Sequence, residues 1–198
     1  ETVGEVIYGD TDSCYISWPD EWSIEKCLEE THAVVETLNN EVYPELATEW
    51  GIPAEDNKWE IEIEDASATM FQAGKKKRYA KRVVWKEGME FDDLLDEAEV
   101  SIKGFETKRS DTSQLTSELQ KKVLSLIVHD EPSDDIRSAV FEATKQVSRR
   151  DPDWDKIGIP GGIGQKLDEY DSPTAQVRAA KAGNTLLDAS ISKGDKPM

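Results

Sequence analysis

Residues 8–13 read Tyr-Gly-Asp-Thr-Asp-Ser and lie between two short apolar segments, 6–8 and 14–16. Each segment predicts a β-strand, because it is short, apolar and bounded by turn-forming residues. Glycine, aspartate and threonine tolerate the backbone angles of a tight turn. The sequence therefore predicts a β-hairpin made of two buried strands, with Asp10 and Asp12 at the tip that joins them.

Two carboxylates on one turn favour a metal site but leave other interpretations open. Crowded carboxylates repel each other, and a cation offsets the repulsion. Mg²⁺ is the natural candidate, since it takes one or two carboxylates together with substrate phosphates. A structural turn, with Asp side chains bonded to nearby amides, explains the same residues. So does a glycosyltransferase-type Asp-x-Asp that binds a nucleotide sugar through Mn²⁺ or Mg²⁺. A calcium loop is excluded because Tyr15 stands where that loop requires glycine.

The composition is strongly acidic, with 42 acidic against 24 basic residues and a net charge of −18 over 198 residues. Such a chain either avoids polyanions or has a surface suited to concentrated salt, which screens repulsion from DNA. The second interpretation predicts clustered basic residues and stability in molar salt. Cys14 and Cys27 predict buried free thiols. No apolar run is long enough to span a membrane, so we expect a soluble, cytoplasmic protein without a membrane partner.

The positive charge is indeed clustered. Six of the eight residues in 75–82 are lysine or arginine, and apolar residues flank this run at 70–71 and 83–85. A charge run is usually a solvated face. Here the flanking residues predict a strand, and cations fixed on a strand suit the phosphates of a duplex.

The rest of the first half predicts one long helix and one further strand. The helix is expected over residues 24–50, with Ser23 as its cap, an interruption at Pro44 and an end at Gly51. It would brace the hairpin. Residues 58–65 alternate between apolar and acidic side chains and predict a half-buried strand.

The second half predicts a helical subdomain. One helix is expected from residue 112 or 113 to 129, and a second, capped by Ser133, follows it. Apolar stripes on both helices are expected in the core, the second stripe comprising Ile136, Val140, Phe141 and Val147. The glycine-rich residues 157–164 lack a phosphate-loop pattern and predict an apolar-anchored loop. A last helix is expected over 174–187, opened by Ser172-Pro173.

Several of these segments resemble one family. Residues 8–13 resemble motif C of the family B DNA polymerases, whose palm hairpin carries a metal-binding aspartate. Residues 76–79, Lys-Lys-Arg-Tyr, resemble the Lys-Lys-x-Tyr motif that holds the primer–template duplex. Residues 103–111 are similar to the palm-to-thumb junction. Residues 177–180 and Gly194-Asp195 are similar to the thumb, although Thr174 stands where the family usually has histidine.

The resemblance implies an α+β fold. An antiparallel palm sheet with a metal-binding β-hairpin and a supporting helix would occupy residues 1–110. An α-helical thumb would occupy 111–198. The resemblance is to the archaeal and viral type, and the acidic surface adds the expectation of a halophilic source.

The resemblance also assigns roles to individual residues. Asp12 is expected to be the direct ligand that bridges two Mg²⁺ ions, and Asp10 a weaker or indirect one. Glu64 or Asp65 would lie near the metal, although a row of same-face carboxylates is more often a solvated face. The residues expected to contact the duplex are Lys76, Lys77, Arg78, Tyr79, Lys108 and Arg109. For Arg109, a local salt bridge with Asp111 is an equal alternative.

The implied reaction is the attack of a primer 3′-hydroxyl on the α-phosphate of a dNTP, with release of pyrophosphate. Implied partners are primer–template DNA, dNTP, the rest of the polymerase (exonuclease, fingers and the motif A part of the palm) and a sliding clamp. Neither the motif A nor the motif B string occurs in this sequence, so we expect it to be inactive alone. The alternative is a non-catalytic duplex-binding module in which Asp10 and Asp12 are structural.

Overall fold

The computed structural model of the chain describes residues 4–90, 93–105, 107, 112–149 and 153–197. Helices and antiparallel strands are both present, and the chain divides into two compact units, Glu1–Lys103 and Gly104–Met198. No described helix has the length and apolar character that crossing a membrane requires. The mixed fold with antiparallel sheets agrees with the expected α+β class.

The first unit contains two separate sheets. Strands β1 (Glu5–Asp10) and β2 (Ser13–Ser17) form the predicted hairpin, with a register shift between Val6 and Tyr8. Strands β3 (Asp65–Gln72), β4 (Tyr79–Lys86) and β5 (Glu99–Lys103) form an antiparallel sheet with β4 in the centre. Within the described ranges the hairpin pairs with no third strand and therefore forms a sheet of its own. The sequence did not indicate this separation.

The helical segment behind the hairpin is interrupted where the sequence predicts it. Helix α1 spans Ile24–Thr37, a π-helical turn follows at Leu38–Val42, and α2 spans Tyr43–Glu49. Pro44 has no N–H to continue the α-helical ladder, and the ladder shifts register just before it. Gly51 ends the segment with a φ of 69°, which favours glycine. The prediction for this segment is confirmed, including Ser23 as the cap, whose hydroxyl accepts a hydrogen bond from the Lys26 amide.

The predicted strand at 58–65 is wrong. Residues 57–64 are extended but join no ladder, and β3 begins only at Asp65. The side chain of Asn39 in the π-helical turn forms the hydrogen bonds that a neighbouring strand would otherwise form. Its amide donates to the Ile61 carbonyl at 2.8 Å, and its carbonyl accepts from the Ile61 amide at 2.9 Å. The alternating pattern therefore reports one buried face, and the side chain of Asn39 supplies the hydrogen bonds.

We expect Asn39→Asp to lower the free energy of unfolding by about 2 kcal/mol. The carboxylate replaces the donor that faces the Ile61 carbonyl, which leaves that acceptor unsatisfied and opposite a negative charge. Asn40→Asp is the matched control, because Asn40 is exposed on the same turn and the change in charge is identical. Urea unfolding of both variants measures the difference, and equal midpoints would contradict the role given to Asn39.

The buried apolar residues of the first unit lie on α1, α2 and β4. They are Leu28, Ala47, Ala80, Val83 and Trp85. The hairpin is much more open than predicted, since the side chains of Val6 and Ile7 are 64% and 48% exposed and Cys14 is exposed too. The expectation of buried strands and a buried Cys14 thiol is therefore wrong for this structure. The reason is that β1 pairs with β2 alone, so most of its surface stays accessible.

The second unit begins with a helical pair. Helix α3 (Gln114–Val128) lies where a helix is predicted, has Ser113 as its cap, and packs on α4 (Ser133–Val147). Pro132, not Ser133, occupies the cap position of α4. The predicted apolar stripe on α4 is also wrong, since Val140, Phe141 and Val147 are exposed and Ala139 and Ala143 are buried instead. Small side chains four residues apart let the two helices approach closely, which a stripe of larger residues would prevent.

The remaining part of the second unit contains a short helix that packs on α3 and a segment that packs around Ile163. It includes a short helix α5 (Trp154–Ile157), a 3₁₀ turn at Leu167–Glu169 and α6 (Ala175–Leu186), which is capped by Thr174 rather than Ser172. Ile163 is buried against Val177 and Ala180. Its amide donates to the Asp195 carbonyl at 2.9 Å, and its carbonyl accepts from the Gly194 amide at 2.8 Å. The glycine-rich segment is thus an apolar-anchored loop, as predicted.

Candidate functional site

The hairpin tip, residues 10–13, is fixed mainly by its own backbone. Thr11 has a φ of 60°, and the Asp12 amide donates to the Asp10 carbonyl at 2.8 Å. The Ser13 hydroxyl donates to the same carbonyl at 3.2 Å. Because the backbone holds the turn, the carboxylates of Asp10 and Asp12 are not needed for that purpose.

The two carboxylates differ in their surroundings. Asp10 is half-buried, and its Oδ1 lies 3.4 Å from Lys77 Nζ and accepts from the Thr11 hydroxyl at 3.3 Å. The Asp12 side chain is exposed and forms no hydrogen bond or ion pair with any described residue. Two accessible carboxylates fit a magnesium ion that keeps water and phosphate oxygens as its other ligands. The described residues contain no cluster of three His, Cys, Asp or Glu residues able to hold a metal.

The two carboxylates predicted to lie near the metal differ in their surroundings. Asp65 Oδ2 is 2.5 Å from Lys81 Nζ, and its Oδ1 accepts from the Ser67 hydroxyl at 3.4 Å. Glu64 is exposed. Neither residue joins Asp10 and Asp12 in a cluster of three within the described part of the chain, so its place near a metal stays a prediction.

The basic cluster is a loop rather than a strand. Residues 75–78, termed the basic loop, connect β3 to β4, and only Tyr79, Lys81 and Arg82 of the predicted set lie on β4. Gly74 and Lys77 turn the chain with φ values of 67° and 62°. The loop is closed by the Ala73 amide, which donates to the Arg78 carbonyl at 3.1 Å. The strand prediction fails here because the tight turn interrupts the run of lysines.

The structure brings the basic loop and the hairpin tip together. Besides the ion pair with Asp10, the Lys77 amide donates to the Tyr8 hydroxyl at 3.0 Å. Lys75 and Lys76 are exposed and pair with no described carboxylate. Two sequence segments that were singled out separately, about 65 residues apart, therefore form one site. Lys108 and Arg109 lie outside the described residues.

Three tyrosines pack beneath this site, and the sequence did not single out two of them. Tyr8, Tyr15 and Tyr79, termed the tyrosine cluster, have ring centroids 5.6–5.8 Å apart. The Tyr15 hydroxyl donates to the Tyr79 hydroxyl at 3.1 Å. Burial is the largest cause that raises the pKa of Tyr79 to about 12, and burial also raises the pKa of Tyr15.

We expect the chain to lose stability as the pH rises from 10 towards about 12. The folded state holds Tyr79 protonated over this range, whereas the unfolded state releases the proton, so rising pH favours unfolding. Tyr79→Phe should flatten this part of the pH profile of the unfolding free energy. Tyr43→Phe is the control, since Tyr43 contacts Trp59 and lies outside the tyrosine cluster. Identical alkaline slopes in both variants would contradict the assignment.

An acidic turn in contact with an exposed basic loop has the chemistry of a protein that handles phosphates. The carboxylates suit a divalent cation, and the lysines suit the oxygens of a phosphodiester backbone. The antiparallel strands of the first unit supply the frame. The fold is a mixed α+β one with antiparallel sheets, and the site pairs an acidic turn with a basic loop.

The comparisons with known proteins identify the family. The profile described as DNA polymerase family B matches residues 2–195, so this chain belongs to that family. A DNA polymerase of Archaeoglobus fulgidus is 24% identical over 181 residues, which cover 91% of this chain and 19% of the relative. The family B DNA polymerase of Pyrobaculum calidifontis superposes with a TM-score of 0.58 at 23% identity, over 98% of this chain and 21% of that structure. The chain thus spans about a fifth of the length of these relatives.

Proposed function

We propose that this chain is the catalytic-hairpin and thumb part of a template-directed DNA polymerase. In this proposal residues 1–110 belong to the palm and 111–198 to the thumb. The observation that carries it is the contact between Lys77 and Asp10, which joins the basic loop to the hairpin tip in a chain of this family. A polymerase needs duplex phosphates and metal-bound phosphates side by side, and this pairing supplies groups for both.

Asp12 is proposed as the direct metal ligand and Asp10 as the weaker one. The exposed Asp12 carboxylate supports this assignment, as does the engagement of one Asp10 oxygen by Lys77. Two Mg²⁺ ions, when bound, would stabilise the charge that develops on the attacking and leaving oxygens of the transferred phosphoryl group. Glu64 or Asp65 is kept as a candidate near the metal.

The basic residues are proposed to hold the primer–template duplex. Lys75 and Lys76 support this, because exposed ammonium groups without a described partner are available to phosphates. Lys77 would exchange its contact with Asp10 for one with the nucleic acid. The full proposed set is Lys76, Lys77, Arg78, Tyr79, Lys108 and Arg109. The proposed partners are the DNA, dNTP, the remaining polymerase segments and a sliding clamp.

One observation favours a second candidate, a non-catalytic duplex-binding module. The hairpin tip offers only two carboxylates, and no third metal-ligating group joins them among the described residues. In that case Asp10 would serve to hold Lys77, and no reaction would depend on Asp12.

The test is a paired measurement on the 198-residue chain and on a longer polymerase that contains it. We expect the 198-residue chain to bind a primer–template duplex but to extend no primer with Mg²⁺ and dNTPs, whereas the longer chain extends it. Gel analysis of labelled primer and fluorescence anisotropy measure the two properties. Extension by the short chain would contradict its inactivity, and failure of both chains to bind duplex would contradict the proposed function. The cytoplasmic location and halophilic source stay predictions.

A further inference from the structure

The ammonium group of Lys81 on β4 is buried, and both oxygens of its partner, the Asp65 carboxylate, make contacts. Lys81 is 5% exposed, and its Nζ lies 2.5 Å from Asp65 Oδ2. The other oxygen of Asp65 accepts from the Ser67 hydroxyl. A charge buried in this way requires its partner, because removal of one member leaves the other charge uncompensated.

The ion pair is not an ordinary contact between facing strand residues. The register pairs Asp65 with Lys86 and Met70 with Lys81, and it shifts twice between Ala66 and Thr69. The Lys81 side chain therefore extends along the sheet to reach Asp65. Holding this long side chain in one conformation costs conformational entropy, which the ion pair has to offset. The ion pair therefore restricts movement at the centre of the first unit.

The same ammonium group supports the tyrosine cluster. Lys81 Nζ lies 4.9 Å from the centroid of the Tyr15 ring, within the range of a cation–π interaction. Tyr15 in turn contacts the rings of both Tyr8 and Tyr79 and donates to the Tyr79 hydroxyl. Lys81 therefore influences the position of all three rings, directly through Tyr15 and indirectly through the contacts that Tyr15 makes with Tyr8 and Tyr79.

The tyrosine cluster leads to the basic loop. The Tyr8 hydroxyl accepts from the Lys77 amide at 3.0 Å, and the Lys77 ammonium group lies 3.4 Å from Asp10. Lys77 needs this support because it adopts a left-handed φ of 62°, which is unfavourable for a residue other than glycine. A continuous set of contacts thus runs from Asp65 through Lys81 and the tyrosine cluster to Lys77.

We propose that Lys81 and Asp65 are positioning residues: through the tyrosine cluster they hold the basic loop against the hairpin tip. Neither is a duplex or metal ligand in this role. The inference deepens the proposed function, and only its consequence for duplex binding rests on that function. The internal effect on Lys77 does not.

The test measures amide hydrogen exchange of Lys77 by NMR in the 198-residue chain. We expect exchange at least about tenfold faster in Lys81→Met and in Tyr8→Phe. Lys86→Met is the matched control, because Lys86 lies on the same strand and forms a 2.5 Å ion pair with Glu99 on the exposed surface. The β4 amides report global unfolding, so a merely structural role would accelerate them together with Lys77.

Each outcome decides the proposal. Unchanged Lys77 exchange in Lys81→Met overturns it, as does acceleration of all β4 amides alike. Lys81→Arg should restore protection, since it keeps a cation opposite Asp65. If Lys81→Met does not fold, the double variant Lys81→Met with Asp65→Leu removes both charges, a change that buried pairs often tolerate. A protected Lys77 amide in that double variant overturns the proposal.

Duplex binding separates this inference from the proposed function. Relative to Lys86→Met, Lys81→Met should raise the Kd for a primer–template duplex about tenfold in fluorescence anisotropy. Absence of binding by the unmodified chain would refute the proposed function, while Lys77 exchange would still decide the positioning role. Faster Lys77 exchange with an unchanged Kd would overturn the link between positioning and binding.

Discussion

Asp12→Ala should lower the rate of primer extension at least about a thousandfold in a longer polymerase that contains this chain. The expected reason is the loss of the exposed carboxylate proposed to bridge two metal ions, which removes stabilisation of charge in the transition state. Duplex affinity should change little, because the Asp12 side chain forms no hydrogen bond or ion pair with a described residue and takes no part in the ion pair of the basic loop. Single-turnover extension and anisotropy measure the two effects separately.

Asp20→Ala is the control for this variant, since Asp20 is also an exposed aspartate in a turn of the first unit. It should extend primers at the unmodified rate. Asp12→Asn keeps the size of the side chain and removes its charge, so it should resemble Asp12→Ala. Near-normal extension by both Asp12 variants would favour the non-catalytic duplex-binding module.

The parts of the fold that the sequence predicts well are those set by neighbouring residues. Residues 8–13 form the expected hairpin because glycine, aspartate and threonine together specify a tight turn. Pro44 interrupts the helical segment and Gly51 ends it for reasons internal to the backbone. Ser113 caps α3 in the same local manner. Such features need no knowledge of what packs against them.

The parts that the sequence does not predict depend on distant partners. The alternation in 58–65 correctly marks one half-buried face, but nothing in it points to Asn39 as the group that binds Ile61. On α4 the apolar residues are exposed and the alanines are buried, because close approach of α3 favours small side chains. Successive residues of an α-helix are about 100° apart, so Phe141 lies on nearly the opposite side of the helix from Ala139, and its hydrophobic character alone placed it in the predicted stripe.

The candidate site divides in the same way. Residue types and order predict Asp10, Asp12 and the basic cluster, but not that Lys77 reaches Asp10. The link between them runs through the Tyr8 hydroxyl, and the support for it runs through Lys81 to Asp65, a carboxylate on the neighbouring strand that is not the register partner of Lys81. In the sequence, Lys81 is one more cation of the basic run. In the structure it is buried and pairs with the Asp65 carboxylate in place of a phosphate.

Replacing Lys75, Lys76 and Lys77 together by glutamine should weaken duplex binding about 100-fold, at roughly 1 kcal/mol for each lost phosphate contact. The slope of log K against log salt should become shallower by up to about three, since each neutralised phosphate contributes close to one. Anisotropy titrations of the 198-residue chain at several salt concentrations yield both quantities. Lys81 is left unchanged, because its buried ammonium group is proposed to act on position and not on phosphate.

The control triple variant is Lys26→Gln, Lys58→Gln and Lys86→Gln, which adds the same negative charge to the same unit. These lysines already contact Trp22, the Glu55 carbonyl and Glu99 respectively. With a starting net charge of −18, any added negative charge increases repulsion from DNA, and salt screens that repulsion. Both variants share this added repulsion, so the difference between their duplex affinities isolates the contribution of the local contacts of the basic loop. Equal loss of affinity in both would mean that overall charge, and not the loop, governs duplex binding.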